Sequence, residues 1–136
     1  MQHAPALARD PRPGTRPLAD TALGALGIEL VSCAATEVVA RMHVDGSSSS
    51  AGVLLVLAET AASTAAGIAA GSRRRAFGAE LNASFVARPV AGVVTATAHH
   101  RALAAQRHVW AITVVDASGA VVLEARCTLG VVDAPA

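Results

Sequence analysis

Residues 47–71 have the sequence SSSSAGVLLVLAETAASTAAGIAAG, and this stretch decides the fold. It opens with four serines that can cap the first turn of a helix, and it closes at Gly71, a residue typical of helix ends. The residues between them offer almost no polar face, and a helix that is apolar all round is buried on all sides. Its many small residues and Glu59 argue against a membrane span. The stretch therefore predicts a central helix, from about Ala51 to Ala70, with a sheet curled around it.

Glu59 is the charged residue of that helix. An ionised carboxylate in apolar surroundings costs several kcal/mol unless it is paired or hydrogen-bonded. No Lys or Arg lies three or four residues away, but Ser63 lies four residues on, on the same helix face. Glu59 either points into solvent at a seam of the fold or is a catalytic carboxylate in a cleft, with Ser63 orienting it or holding a water. We favour the catalytic interpretation, because perturbed carboxylates concentrate at functional sites.

Length and composition indicate one domain without a general nucleic-acid surface. The chain has 136 residues, 53% of them hydrophobic but only 2% aromatic, and a net charge of +1. Cys33 and Cys127 have no histidine at zinc-site spacing, which predicts buried reduced thiols and no metal site. Residues 1–17 are rich in Pro and Arg and lack the apolar segment of a signal peptide. We expect a mobile N-terminal tail over 1–17, a single domain over 18–136, and a cytoplasmic protein.

Strands are predicted on both sides of the central helix. A short helix over residues 21–26, ending at Gly27, precedes two alternating segments, and four more segments follow the central helix. Short turns between the strands predict antiparallel pairing. The expected class is α+β, with a curved antiparallel sheet of five to six strands. The predicted strands are residues 28–34, 36–44, 76–87, 93–100, 108–116 and 120–132.

Three consecutive arginines, Arg73, Arg74 and Arg75, follow the central helix. Cations at this position suit the negative end of the helix dipole, and guanidinium groups also suit phosphates. The cluster is therefore either a solvated helix exit or a phosphate-binding site.

Several segments, in this order, resemble the hotdog-fold acyl-CoA thioesterases of the PaaI and 4-hydroxybenzoyl-CoA type. The resemblance extends from about residue 23 to residue 132 and implies that a curved antiparallel sheet wraps the central helix. Its carriers are LGIELV at residues 26–31, AGVLLVLAETAAS at residues 51–63, AELNASFVARPVAG at residues 79–92, and WAITVVDASGAVVLEA at residues 110–125.

The resemblance implies catalytic roles along the helix. Glu59 would attack the thioester carbonyl or activate a water, and Ser63 would assist it. The family's His-Gly-Gly motif at the helix start is Ser50-Ala51-Gly52 here, so the histidine is absent while its backbone N–H groups remain. The N–H of Ala51 or Gly52 would hold the thioester oxygen, with Ser50 as a neighbouring substrate-binding residue. The preceding loop is shorter than in the family and lacks its Asn or Gln.

The resemblance also implies substrate-binding residues outside the helix. Asn82 and Ser84 lie on the strand that lines the dimer seam in the family, although they equally suit a polar outer face of the sheet. Arg107 ends a loop that often meets the nucleotide of CoA, and Arg73–Arg75 are the candidates for its phosphates.

The resemblance thus implies a thioesterase that hydrolyses an acyl-CoA or acyl-carrier-protein thioester, and the Ala, Val and Leu expected to line the pocket favour a small to medium acyl group. We expect no cofactor, no membrane or nucleic-acid partner, and a homodimer with shared active sites that forms a dimer of dimers. The alternative is a non-catalytic acyl-CoA binding or sensing module with a degenerate active-site loop. A hotdog dehydratase is disfavoured, because no histidine lies near the start of the helix.

Overall fold

A computed structural model of the protein describes residues 17–46 and 50–136, the side chains of Leu18 and Ser50 excepted. The predicted serine cap at residues 47–49, the Ser50 side chain and residues 1–16 of the predicted tail lie outside the described part. The order of elements is the predicted one. In chain order they are a 3-10 turn at Leu18–Asp20, α1 at Ala22–Ala25, β1 at Glu29–Cys33, β2 at Glu37–Val44, α2 at Ser50–Ala70, β3 at Arg74–Phe85, β4 at Gly92–Leu103, β5 at Arg107–Val115 and β6 at Val121–Asp133.

The six strands form one sheet in the order β1-β2-β4-β5-β6-β3, and every neighbouring pair is antiparallel. The chain leaves β2, crosses the sheet face as α2, and returns at the far edge as β3. The helix consequently contacts all six strands. The predicted α+β architecture, a central helix wrapped by a curved antiparallel sheet, is confirmed.

The core lies between α2 and the inner face of the sheet. Strand alternation sends every second residue of β2, β4 and β5 inwards, and Trp110 is the largest side chain among the fully buried residues. The length and mean hydropathy of α2, 1.7 over its most apolar window, match a membrane span, and half of that window is buried within the fold. Small side chains let the helix lie close to the sheet: Ala58, Ala61, Ala62, Ala65 and Ala66 are fully buried.

The prediction that α2 is buried on all sides is wrong along one stripe of the helix, which remains accessible. Gly52 and Val56 are exposed, and Glu59, Ser63 and Gly67 are only half-buried. These positions follow one another at intervals of three or four residues, so they lie on one helix face. A single sheet covers one side of a helix, and the side chain of Val56 is left 39% exposed. The stripe gives solvent and any partner access to Glu59.

Candidate active site

The carboxylate of Glu59 lies midway along the accessible stripe of α2. Ser63, one helical turn further on, donates a hydrogen bond from its Oγ to Oε1 of Glu59. Ion pairs within the described residues involve other carboxylates. The structure therefore brings together the predicted pair, a half-buried carboxylate and a hydroxyl donor that orients it.

The same carboxylate lies against strand β3. A Cβ atom on Gly78 would come within 3.2 Å of Oε1 of Glu59. Gly78 pairs with Leu129 while Glu80 pairs with Thr128, so a β-bulge interrupts the register at this point. The sequence interpretation missed this contact, although an isolated glycine inside a strand is a signal for a bulge or a close approach.

Cys127 is buried on β6, close enough to Glu59 for the carboxylate charge to act on its thiol. Burial raises the pKa of its thiol to about 11, with further contributions from the negative charges of Glu59 and Glu80. The thiol is therefore protonated at neutral pH and is not a competing nucleophile. Cys127 is buried as predicted, but Cys33 is only half-buried, which corrects the prediction of two buried thiols.

The first turn of α2 carries the backbone N–H groups of Ala51 and Gly52 that the resemblance assigns to the thioester oxygen. The first N–H groups of a helix have no partner within the helix. Ala51 and Gly52 are exposed, and a Cβ on Gly52 would meet no other described part of the chain beyond its own helix within 4 Å. In one chain these donors are not brought together with Glu59, which lies two turns further along. An apolar cavity of about 350 Å³ adjoins them, lined by Ala51, Leu54, Phe85, Val86, Ala87, Arg88 and Pro89.

The three predicted arginines have different surroundings. Arg73 lies in the turn after α2, whereas Arg74 and Arg75 belong to β3, so the cluster is not a simple helix exit. The guanidinium of Arg74 donates to the carbonyl of Ala105, and its Nε lies 3.7 Å from Oδ1 of Asp133. Arg74 therefore ties β3 to the β4–β5 turn, while Arg73 and Arg75 are exposed.

Phe77 and Arg107 flank Gly130 on the outer face of the sheet. Each is paired in register with Gly130, one from β3 and the other from β5. The ring of Phe77 lies across Gly130, where a Cβ atom would collide with the ring. Sequence reasoning found Arg107 but missed Phe77. The cavity here measures about 490 Å³ and is lined by Arg74, Phe77, Gln106, Arg107, Gly130, Val131, Val132 and Asp133.

Asn82 and Ser84 lie on the face of β3 that points away from α2. Both are exposed, whereas the alternate residues Leu81 and Ala83 pack against the core. Within one chain the structure does not bring Asn82 and Ser84 together with Glu59. Their position matches the polar outer face that was the alternative interpretation.

His108 is a buried histidine on the inner face of β5. Its pKa lies below the usual value, chiefly because of burial and also because of the positive charges of Arg74 and His100. Its Nδ1 has no hydrogen-bond partner within the described residues. In that same part of the chain, no cluster of three His, Cys, Asp or Glu residues has metal-binding geometry.

Comparison with known families assigns this fold to a class of protein. The family model of the thioesterase superfamily matches residues 50–123, from the start of α2 into β6. The match covers more than half of the chain, and the chain belongs to the thioesterase superfamily, a class of thioester hydrolases.

Individual relatives agree with this assignment. The 1,4-dihydroxy-2-naphthoyl-CoA hydrolase of Listeria monocytogenes serotype 1/2a (strain 10403S) is 35% identical over 112 residues, which cover 78% of this chain and 91% of the relative. A thioesterase structure from Haemophilus influenzae superposes with a TM-score of 0.80 at 27% identity, covering 85% of each chain. The PaaI protein of the E. coli phenylacetic acid degradation operon superposes with a TM-score of 0.73 at 26% identity, covering 83% of this chain and 85% of that one. The predicted resemblance to PaaI-type hotdog thioesterases is confirmed.

Proposed function

We propose that the protein hydrolyses acyl-CoA or acyl-carrier-protein thioesters with a small to medium acyl group, and that Glu59 performs the chemistry. The observation that carries this proposal is the half-buried carboxylate of Glu59, hydrogen-bonded by Ser63 on the accessible stripe of α2. Membership of the thioesterase superfamily gives that carboxylate a reaction to perform.

Glu59 acts by one of two routes. As a general base it takes a proton from a water that attacks the thioester carbonyl, and as a nucleophile it attacks that carbonyl itself to form an anhydride that water then hydrolyses. In both routes the C–S bond breaks, the CoA thiolate leaves and takes up a proton, and the acid is released. The negative charge on the carbonyl oxygen is stabilised by the N–H groups of Ala51 and Gly52 in the first turn of a helix.

A second subunit completes each site in this proposal. The edge strand β3 has unpaired backbone groups along one side, and Phe85 at its end and Val86 just after it are exposed. An edge with exposed apolar side chains, beside the accessible stripe of α2, supports a homodimer, and a dimer of dimers is the proposed full assembly. The helix start of one subunit, with its apolar cavity for the acyl group, then faces Glu59 of the other.

The nucleotide end of CoA is assigned to the outer face near Phe77. The cavity there combines an exposed aromatic ring with the guanidinium of Arg107, a pairing that suits a base and its phosphates. Arg75 is exposed on the same face of β3, since it is two residues from Phe77. Arg74 is left out of this proposal because its guanidinium donates to the carbonyl of Ala105 and its Nε lies near Asp133.

Release of free thiol from a panel of acyl-CoA compounds tests the proposal. The panel contains acetyl-, hexanoyl-, benzoyl-, phenylacetyl- and 1,4-dihydroxy-2-naphthoyl-CoA, the last because of the Listeria relative. We expect thiol release from at least one compound and none from the Glu59→Gln variant. Rates equal to buffer alone across the panel would overturn the proposal.

The alternative function, an acyl-CoA binding module without turnover, is favoured by the Ser50-Ala51-Gly52 sequence in place of the family's motif. Calorimetry with the same compounds separates the two functions. Micromolar binding without thiol release would establish the binding module.

A further inference from the structure

We infer that Gly78 is a positioning residue for the carboxylate of Glu59 and that Oε2 is the oxygen of that carboxylate that reacts. The inference rests on the proposed function, because it assigns geometry to the group that performs the chemistry. Gly78 itself touches neither substrate nor reacting atoms, and it acts through Glu59.

Oε1 of Glu59 is held from two sides. Ser63 donates a hydrogen bond to this oxygen, and the backbone of β3 lies directly beside it at Gly78. Oε2 makes no hydrogen bond or ion pair with the described residues. Oε1 accepts the Ser63 hydroxyl and lies against β3, whereas both lone pairs of Oε2 are left for a water or a thioester carbonyl.

A side chain at Gly78 would crowd the carboxylate of Glu59, whereas the backbone conformation of the strand would accept one. Gly78 is not among the glycines with a positive φ, so an L-residue fits its conformation. Any Cβ at this position would lie 3.2 Å from Oε1, closer than ordinary van der Waals contact. A bulge between Gly78 and Glu80 shifts the register of β3 at this point. Gly78, which has no side chain, therefore lies beneath Glu59.

The variant Gly78→Ala tests the inference, with benzoyl-CoA as the probe. The added methyl group pushes Oε1 away from the strand and moves Oε2 with it. We expect kcat to fall about tenfold and KM to change less than about twofold, since misplacing a reacting group affects the transition state more than substrate binding. Thermal stability should be unchanged or higher, because alanine is better than glycine inside a strand. The control Ala79→Ser changes the neighbouring exposed bulge residue and should keep parental kinetics.

A double-mutant cycle with Glu59→Asp separates positioning from a general effect on the strand. Aspartate is one methylene shorter, so its carboxylate withdraws from β3 and no longer meets the new methyl group. In the Glu59→Asp background we therefore expect Gly78→Ala to change kcat by less than about twofold. An equal loss in both backgrounds would overturn the inference.

Two further measurements separate failure of this inference from failure of the proposed function. Wild-type turnover of benzoyl-CoA by Glu59→Gln would reject Glu59 as the reacting group. An inactive Glu59→Gln together with a fully active Gly78→Ala would reject the positioning role alone. A crystal structure of Gly78→Ala gives a readout without turnover: the contact between Ser63 Oγ and Glu59 Oε1 should lengthen or break, and an unchanged contact overturns the inference.

Discussion

Ala51 and Glu59 lie eight residues apart on the uninterrupted helix α2. At 1.5 Å per residue this separates them by about 12 Å along the helix axis. A thioester carbonyl that is held by the N–H of Ala51 is therefore out of reach of Glu59 on the same helix, because reacting atoms must approach to roughly 3 Å. In a two-fold dimer with antiparallel helices, the start of one helix meets the middle of the other.

This separation predicts complementation between two inactive variants. One subunit carries Glu59→Ala, and the other carries Ala51→Pro, which removes the N–H at a position where the first turn tolerates proline. In the mixed dimer both lesions fall in one site and the second site is intact, so about half of the wild-type activity should return.

Tagged subunits purified as verified mixed dimers provide the measurement, and each parent homodimer is the inactive control. If each active site lay within a single chain, every site would carry one lesion. A mixed dimer as inactive as its parents would therefore contradict the shared site.

Removing the charge of Glu59 should stop hydrolysis while leaving the fold intact. Glu59→Gln preserves the shape of the side chain and a partner for Ser63, but it removes the base or nucleophile, so kcat should fall by roughly two orders of magnitude or more. Acyl-CoA binding, measured by calorimetry, should persist. The matched control is Glu80→Gln on the exposed bulge of β3, and equal losses in both variants would indicate a charge effect unrelated to catalysis.

Charge reversal at the outer-face cavity should weaken substrate binding selectively. Arg75→Glu combined with Arg107→Glu places negative charges where the CoA phosphates are proposed to lie, so KM should rise about tenfold or more while kcat changes little. The control Arg126→Glu reverses an exposed arginine on β6, outside that cavity. Steady-state kinetics at two salt concentrations provide the measurement, and a KM equal to that of the control would leave both arginines as solvated surface residues.

Burial of His108 makes stability depend on pH. Its folded-state pKa is lowered, so below about pH 6.5 the unfolded chain binds more protons than the folded one. This contribution to stability is present above the unfolded-state pKa of His108 and is lost as the pH falls towards the lower folded-state value. The free energy of unfolding in urea should therefore drop between pH 7.5 and pH 5.5.

The variant His108→Leu should flatten that dependence, because leucine binds no proton. The exposed His43→Leu serves as the matched control and should follow the wild-type curve. Parallel curves for wild type and His108→Leu would assign the pH dependence to other groups.

The local features of the chain were readable from its sequence. The apolar stretch between the serines and Gly71 forms α2, and the alternating segments form six antiparallel strands, because hydrophobic periodicity acts over a few residues. The contact between Glu59 and Ser63 was also predictable, since four residues on a helix return to the same face.

The tertiary structure decided what surrounds those residues. Gly78 lies beneath Glu59 and Phe77 lies over Gly130 because strands distant in sequence pair in one register, which includes a bulge. In the same register Arg74 donates a hydrogen bond to Ala105, whereas Arg75 is exposed. The two residues are adjacent and chemically identical. The sequence by itself therefore determined the helix, the strands and the pairing of Glu59 with Ser63, since these depend on neighbours along the chain. Long-range packing decides which side of α2 remains accessible and which arginines have a partner in the fold. A local sequence pattern does not contain that information.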